Sequence, residues 1–184
     1  MNKPIIFLVS GKAESGKDTF ATALEKVADK RHKKTLRIKY GDFVKMVAKT
    51  YYGWSGEKDE HGRYLLQWLG TDLGRKNNPN VWVNCVKETV KALKTEYDFV
   101  VISDVRFPNE IDCWEDTEFF TYTIRVTRKD IDGNLYENHL TKEQKEHPSE
   151  TALDDWKFHY YVDNIILEDM EFAVENILND IIEL

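Results

Sequence analysis

Cysteine, proline and long apolar runs are all scarce. The 184 residues include two cysteines and four prolines. Cys85 and Cys113 stand without CxxC spacing or nearby histidines. This argues against a disulfide framework and a zinc site, and fits a reduced cytoplasmic compartment. No apolar run approaches the roughly 20 residues needed to cross a bilayer. The first apolar stretch, Ile5–Ser10, is too short for a secretory signal. An excess of positive charge is also missing: 26 Lys and Arg against 33 Asp and Glu leave a net charge of −7. That is a weak basis for a general nucleic-acid or anionic-membrane binder, although a local basic pocket remains compatible with it. There is no internal repeat, low-complexity tract or interdomain linker. What is present is a 41% hydrophobic chain, long enough to bury one core without staples, and residues 1–184 read as a single domain.

Strand and helix patterns alternate. Ile5–Ser10 (IIFLVS) is a continuous apolar run, as expected of a strand buried on both faces. From Asp18, the residues Phe20, Ala23, Leu24, Val27 and Ala28 recur at spacings of three and four, which predicts a helix. Leu36, Ile38 and Tyr40 alternate with polar residues as a second strand, and residues 43–52 follow as a helix broken by Gly53-Trp54-Ser55-Gly56. Further helices are expected around Leu65, Leu66 and Leu69, and after Pro79, where Trp82, Cys85, Val86, Val90 and Leu93 form the apolar stripe. Residues 99–103 are a third strand, Pro108 starts a short helix, and residues 120–126 are a fourth strand. Residues 162–167 are a fifth, and Asp169 caps a final helix carrying Val174, Ile177, Leu178, Ile181 and Ile182. Such alternation implies right-handed crossovers. The expected fold is α/β in three layers, with a mostly parallel five-stranded sheet and helices on both faces. The polar stretch 129–150, with its Asp132-Gly133-Asn134 turn, has little to bury and reads as a surface excursion.

Between the first strand and the first helix lies Gly11-Lys12-Ala13-Glu14-Ser15-Gly16-Lys17, the first seven positions of G-x-x-x-x-G-K-[ST]. Glycines let the backbone curl so that several N–H groups point at phosphate oxygens, and the following helix adds its positive end. Gly11, Ala13, Ser15, Gly16, Lys17, Asp18 and Thr19 are therefore candidate triphosphate contacts. Lys17 would neutralise charge as a phosphoryl group moves. A plain glycine connection is the alternative, but strand–loop–helix is the context a phosphate loop requires. Asp18 stands where the motif has a hydroxyl for Mg2+. Its carboxylate can hold the ion directly or through water, or it favours the helix start while Thr19 supplies the hydroxyl. The residues leave both open.

A second cluster, Asp104-Val105-Arg106-Phe107-Pro108-Asn109-Glu110, follows the third strand. Ligands of open parallel sheets sit at the carboxyl ends of strands. Asp104 is placed to hold magnesium there, Arg106 offers a planar fork for phosphate, and Glu110 can orient Arg106 or a sugar hydroxyl. The competing reading is a surface ion-pair set around a helix start. Gly70, Thr71 and Trp82 make a candidate acceptor pocket, with close backbone approach, a hydroxyl and a stacking indole. A helix end followed by a core tryptophan explains the same residues. Tyr40, Gly41 and Lys45 complete an acceptor-phosphate pocket by the same strand-end logic, unless they form a turn and an exposed lysine.

The phrases VSGKAESGKDT, LLQWLGTDLGR with VW shortly after, and ISDVRFPNEID occur in this order. Together they resemble the deoxynucleoside monophosphate kinases of bacteriophages, a branch of the P-loop nucleoside-monophosphate-kinase group, from about residue 4 to the C-terminal helix. In that family GKDT is the common form of the loop. The resemblance implies a P-loop NTPase fold with ATP on residues 11–19 and Mg2+ as cofactor, with Asp18 and Asp104 as metal candidates. It places a deoxynucleoside monophosphate near Tyr40, Gly41, Lys45, Gly70, Thr71, Trp82, Asp104, Arg106 and Glu110, in an acceptor region at about 40–82. A lid at about 128–150 would close over the phosphates. Lys17, Asp104, Arg106 and Arg128 are the catalytic candidates. The lid departs from the group: Arg125 and Arg128 precede a stretch whose cations are Lys129, Lys142 and Lys145, and lysine lacks the bidentate fork. His147-Pro148-Ser149-Glu150 resembles the family's lid exit. The expected reaction is ATP + dNMP ⇌ ADP + dNDP, in the cytoplasm (the host's, if phage-encoded). No nucleic-acid or membrane partner is expected, and a homodimer is the family expectation. The alternatives are a kinase of another small phosphorylated metabolite and a non-enzymatic nucleotide-binding switch. The switch leaves Asp104, Arg106 and Glu110 unexplained.

Overall fold

The computed structural model describes residues 3–57, 59–115 and 119–182. Its five strands are β1 (Ile5–Ser10), β2 (Thr35–Ile38), β3 (Phe99–Val105), β4 (Phe120–Arg128) and β5 (Tyr160–Asn164). They form one sheet in the order β2-β3-β1-β4-β5, and every pairing is parallel. Phe7 of β1 sits in register with Val101 on one side and Tyr122 on the other. The central position of β1 explains its unbroken apolar run, because Ile6, Phe7, Leu8 and Val9 face covered layers on both sides.

Alternate side chains build two cores. Phe7, Val9, Val101, Ile124, Val126 and Val162 pack with the apolar stripes of α1 (Lys17–Lys30) and α8 (Leu167–Ile182). Ile6, Leu8, Val100 and Ile102 pack on the other face with Tyr40, Trp114 and residues Val86 and Val90 of α4 (Val81–Leu93). This is the three-layer arrangement that the alternation implies. A satellite core joins α2 (Tyr40–Tyr52), α3 (Glu60–Gln67), a π-helical stretch Trp68–Arg75 and α4 through Val44, Ala48, Trp54, Leu65, Leu69 and Trp82.

Three boundaries differ from the sequence pattern. Tyr40 does not end β2 but opens α2, because the Asp104 carboxylate accepts from the N–H groups of Tyr40 and Gly41, at 2.9 Å each, and starts the helix there. β5 spans Tyr160–Asn164 rather than 162–167; Ile165 and Ile166 lie beyond it, exposed. α8 begins at Leu167, so Asp169 lies inside its first turn, and Met170 joins the buried stripe while Ile182 is exposed. A single turn, α5 (Asn109–Asp112), follows β3, and the polar stretch after β4 contains two more, α6 (Lys142–Lys145) and α7 (Pro148–Thr151). A Thr141–Gln144 capping box starts α6, and Pro148 opens α7. Cys85 and Cys113 are unpaired. Among the described residues no helix is long and apolar enough to cross a membrane.

Candidate active site

β1 delivers the chain into the glycine loop and α1 carries it away. Gly16 has φ +101°, and a Cβ there would run into Asn164 Nδ2; a Cβ on Gly11 would meet Ser15 Oγ and the Val126 carbonyl. Both positions need glycine, the first for its dihedral as well as its space. Asn164, at the end of β5, donates to the Ser15 carbonyl at 3.1 Å and pins the loop from the far edge of the sheet. Lys17 Nζ donates to the carbonyls of Gly11 and Lys12, at 2.8 and 2.7 Å. Burial, followed by the charge of Arg106, pulls its pKa from 10.5 to about 8, against the opposing pull of Glu150, Asp18 and Asp104. An anion placed beside such an ammonium stabilises it. Ser15 Oγ is buried without a hydrogen-bond partner among the described residues, so the loop has one more hydroxyl to offer.

At the end of β3, Glu110 organises the neighbouring loop. Its side chain is 1% exposed. One carboxylate oxygen accepts from the N–H groups of Arg106 (2.6 Å) and Phe107 (3.1 Å), and the other from Arg75 Nη2 (2.6 Å). Burial raises its pKa, and the Arg75 charge opposes this. Arg75 in turn lies over the Phe107 ring, 4.5 Å from its centroid. Tyr40 locks the assembly from below: its hydroxyl donates to the Glu110 carbonyl at 2.7 Å and accepts from Trp114 Nε1 at 3.1 Å. Thr71, Asp72, Arg75, Lys76, Phe107, His147 and Pro148 line an open cleft of about 400 Å³.

The loop and the β3 end meet at Glu150. Its carboxylate accepts from the Ala13 N–H at 2.8 Å and from Arg106 Nη1, which also donates to the Ser149 carbonyl at 2.9 Å. Lys12 Nζ donates to the Glu150 carbonyl at 2.6 Å and to both oxygens of Asp154, at 2.5 and 2.6 Å. Asp154 also accepts from Arg125 Nη2 at 2.9 Å. The segment around α7 is thereby tied down beside the glycine loop.

Asp18 Oδ1 is bound by Lys39 Nζ at 2.5 Å, Arg37 Nη2 at 2.7 Å and Ser103 Oγ at 3.2 Å. Partial burial pushes its pKa up, but the bonds from Lys39 and Arg37 outweigh this and hold it at about 2. The carboxylate is thus ionised at the helix start. Asp104, a metal candidate from the sequence, accepts at one oxygen from each of two α2 amides, and burial raises its pKa. Among the described residues no three His, Cys, Asp or Glu side chains converge on a metal position. This donor set suits Mg2+ carried chiefly by phosphate oxygens and water with Asp18 nearby, not a protein-only cage.

The remaining expected residues are spread more widely. Gly41 approaches the Asp104 carboxylate closely, at 3.2 Å from a would-be Cβ. Lys45 pairs with Asp42 at 3.0 Å on the partly exposed side of α2. Trp82 is 7% exposed in the satellite core, and its Nε1 donates to the Gly70 carbonyl at 3.0 Å. Gly70 and Trp82 therefore pack the helical layer, with the indole almost fully covered. Thr71 does reach the cleft. Arg128 is exposed and lies 3.7 Å over the Tyr136 ring, on a second cleft of about 250 Å³ shared with Ala13 and Ser15. Sequence reasoning missed Arg75, Asn164 and the engagement of Glu150. Only Arg75 and Glu150 left a trace there, each inside or beside a motif.

The sequence profile of the deoxynucleotide monophosphate kinase family matches residues 42–151, more than half of the chain. The matched part contains the cleft, the β3 end and Glu150; the glycine loop precedes it. The deoxynucleoside-5'-monophosphate kinase of Escherichia phage T5 is 33% identical over 97 residues, which is 50% of this chain and 34% of that protein. The chain thus matches about a third of the length of this relative. Among solved structures, Mycobacterium tuberculosis APS kinase CysC in complex with AMPPNP and APS shares the fold with a TM-score of 0.53, at 9% identity over 97% of this chain and 99% of that one. A sugar kinase from Janibacter sp. HTCC2649 gives a TM-score of 0.51, at 12% identity over 96% and 93%. The fold is the three-layer α/β P-loop fold.

Proposed function

The chain belongs to the deoxynucleotide monophosphate kinase family, and from that premise we propose that it transfers the terminal phosphoryl group of ATP to a deoxynucleoside monophosphate, releasing ADP and the diphosphate. The observation that carries this reading is the convergence of Ala13 N–H, from the glycine loop, and Arg106, from the β3 end, on one anionic group. Two phosphates that must meet for transfer need such adjoining donors. The loop amides, Ser15 and Lys17 receive the ATP phosphates, and Lys17 stays beside the moving group to offset its charge. Arg106 grips the acceptor phosphate. Arg75, fixed by the buried Glu110, supplies a second guanidinium to the same molecule, and Phe107, Thr71 and Asp72 line the space for its sugar and base. Arg128 and Tyr136 flank the loop on the other side, as part of the lid at 128–150.

Mg2+, held by the phosphates with Asp18 nearby, would withdraw charge from the phosphate oxygens. The chain itself contributes positioning and charge neutralisation, without a covalent intermediate. The two unpaired cysteines fit a reducing compartment, the host cytoplasm if the chain is phage-encoded like its relative. The test is steady-state ADP release with each deoxynucleoside monophosphate. Arg106→Ala should raise the acceptor KM at least tenfold with the ATP KM changed less than threefold. Equal effects on both substrates would contradict the division of labour.

A further inference from the structure

Glu150 holds a position that its own chemistry does not explain. Its side chain is only 7% exposed, although it lies at the end of a polar stretch. Its carboxylate oxygens take a glycine-loop amide, Ala13 N–H at 2.8 Å, and the Arg106 guanidinium. Lys17 feels Glu150 as an attractive partner, Lys12 holds the Glu150 carbonyl, and Glu137 and Lys145 share a cleft with Glu150. A carboxylate and a phosphate group present the same face to such donors: two delocalised anionic oxygens that accept charge-assisted hydrogen bonds.

We propose that Glu150 is the resident occupant of the phosphoryl-transfer subsite, a carboxylate that holds Arg106 and the loop in receiving geometry and gives way when a phosphate takes its place. This rests on the kinase reading for the meaning of the subsite. Phosphate oxygens cannot share the Ala13 N–H and the Arg106 fork with a carboxylate, because like charges at hydrogen-bond distance repel strongly. The occupant can leave without unfolding anything. Lys12 holds the Glu150 carbonyl and Asp154, so the backbone stays anchored while the side chain rotates. Until that exchange, Arg106 Nη1 is taken up by Glu150 and the Ser149 carbonyl and is withheld from an acceptor phosphate. Each anion that binds must therefore displace the one already there, and its apparent affinity falls by the fraction of molecules with the side chain withdrawn.

Inorganic tripolyphosphate, titrated calorimetrically into the full chain at fixed ionic strength, reads this exchange without any acceptor. Glu150→Gln keeps the shape and loses the charge-assisted pairing with Arg106, so it should bind tripolyphosphate about tenfold more tightly than wild type. Glu150→Asp keeps the charge but is too short to span Ala13 N–H and Arg106, and should bind at least threefold more tightly. In an Arg106→Ala background the gain from Glu150→Gln should fall below twofold. Tightening with Gln alone would mean simple relief of charge repulsion, and would overturn the proposal. Unchanged binding in both variants, or no binding by any of the proteins, would overturn it as well. A chain that shows these shifts but phosphorylates no deoxynucleoside monophosphate refutes the kinase reading and leaves the exchange standing; active kinase without the shifts does the reverse.

Discussion

Replacing Glu110 by glutamine should cost stability and acceptor affinity together, and the structure sets the size. The carboxylate accepts three hydrogen bonds while 1% exposed: from Arg75 Nη2, Arg106 N and Phe107 N. Glutamine keeps the volume but must turn an N–H2 group toward one set of donors. The milder choice faces Arg75 and keeps the amide oxygen on the two backbone N–H groups. One charge-assisted bond, worth roughly 1.5–3 kcal/mol, is then lost, and the other two weaken to neutral bonds. Relief of the desolvation that raises the Glu110 pKa returns part of this. The net destabilisation should be about 2–3 kcal/mol, or a Tm lower by roughly 4–12 °C for a chain of this length. With Arg75 released and the Arg106 backbone held only by a weaker neutral bond, the acceptor KM should rise at least tenfold while the ATP KM moves less than threefold. Urea unfolding and initial-rate kinetics check the two halves. A loss below about 0.5 kcal/mol, as ordinary for surface changes, with unchanged acceptor KM would refute the claim that Glu110 builds this end of the site.

Three more outcomes follow from the same geometry. With the Lys17 pKa near 8 in the folded chain and 10.5 as its ordinary value, kcat/KM for ATP should fall above about pH 8 as the ammonium is lost. Stability of the ligand-free protein should rise over the same interval, because the unfolded chain then holds more protons than the folded one; rates that stay flat from pH 7 to 10 would contradict the assignment. Gly16→Ala forces a left-handed dihedral and a clash with Asn164. Tripolyphosphate binding should weaken at least tenfold by calorimetry, and adding Asn164→Ala should restore only part of it. Trp82→Phe orphans the Gly70 carbonyl and should cost about 1–2 kcal/mol in urea unfolding. If the indole instead stacked on the acceptor, its KM would rise by more than tenfold.

What could be read from the sequence was local. The β1 run, the glycine loop with Lys17, and the Asp104–Arg106–Glu110 group each announce themselves within a dozen residues. The sheet follows from their alternation with amphipathic helices. The errors came where a tertiary contact overrides a local pattern. Tyr40 continues the alternation of β2, but the Asp104 carboxylate, 64 residues on, turns it into a helix start. Ile165 and Ile166 look like strand yet lie past the end of β5. For Asp104 and Trp82, no local spacing shows that the first also holds the start of α2 or that the second packs in the satellite core. Asn164 meets Ser15 from 149 residues away and Glu150 meets Ala13 from 137 away, and no spacing rule reaches that far. Arg75 was the nearest miss, since it closes the phrase LLQWLGTDLGR one helical turn after Asp72.

The most direct test of the account is product analysis by 31P NMR, with Mg·ATP and each deoxynucleoside monophosphate in turn. At least one of them should give its diphosphate in step with ADP, and Lys17→Ala, still folded, should lower this rate by orders of magnitude. ATP hydrolysis to ADP and inorganic phosphate, with every monophosphate returned unchanged, would contradict the kinase reading.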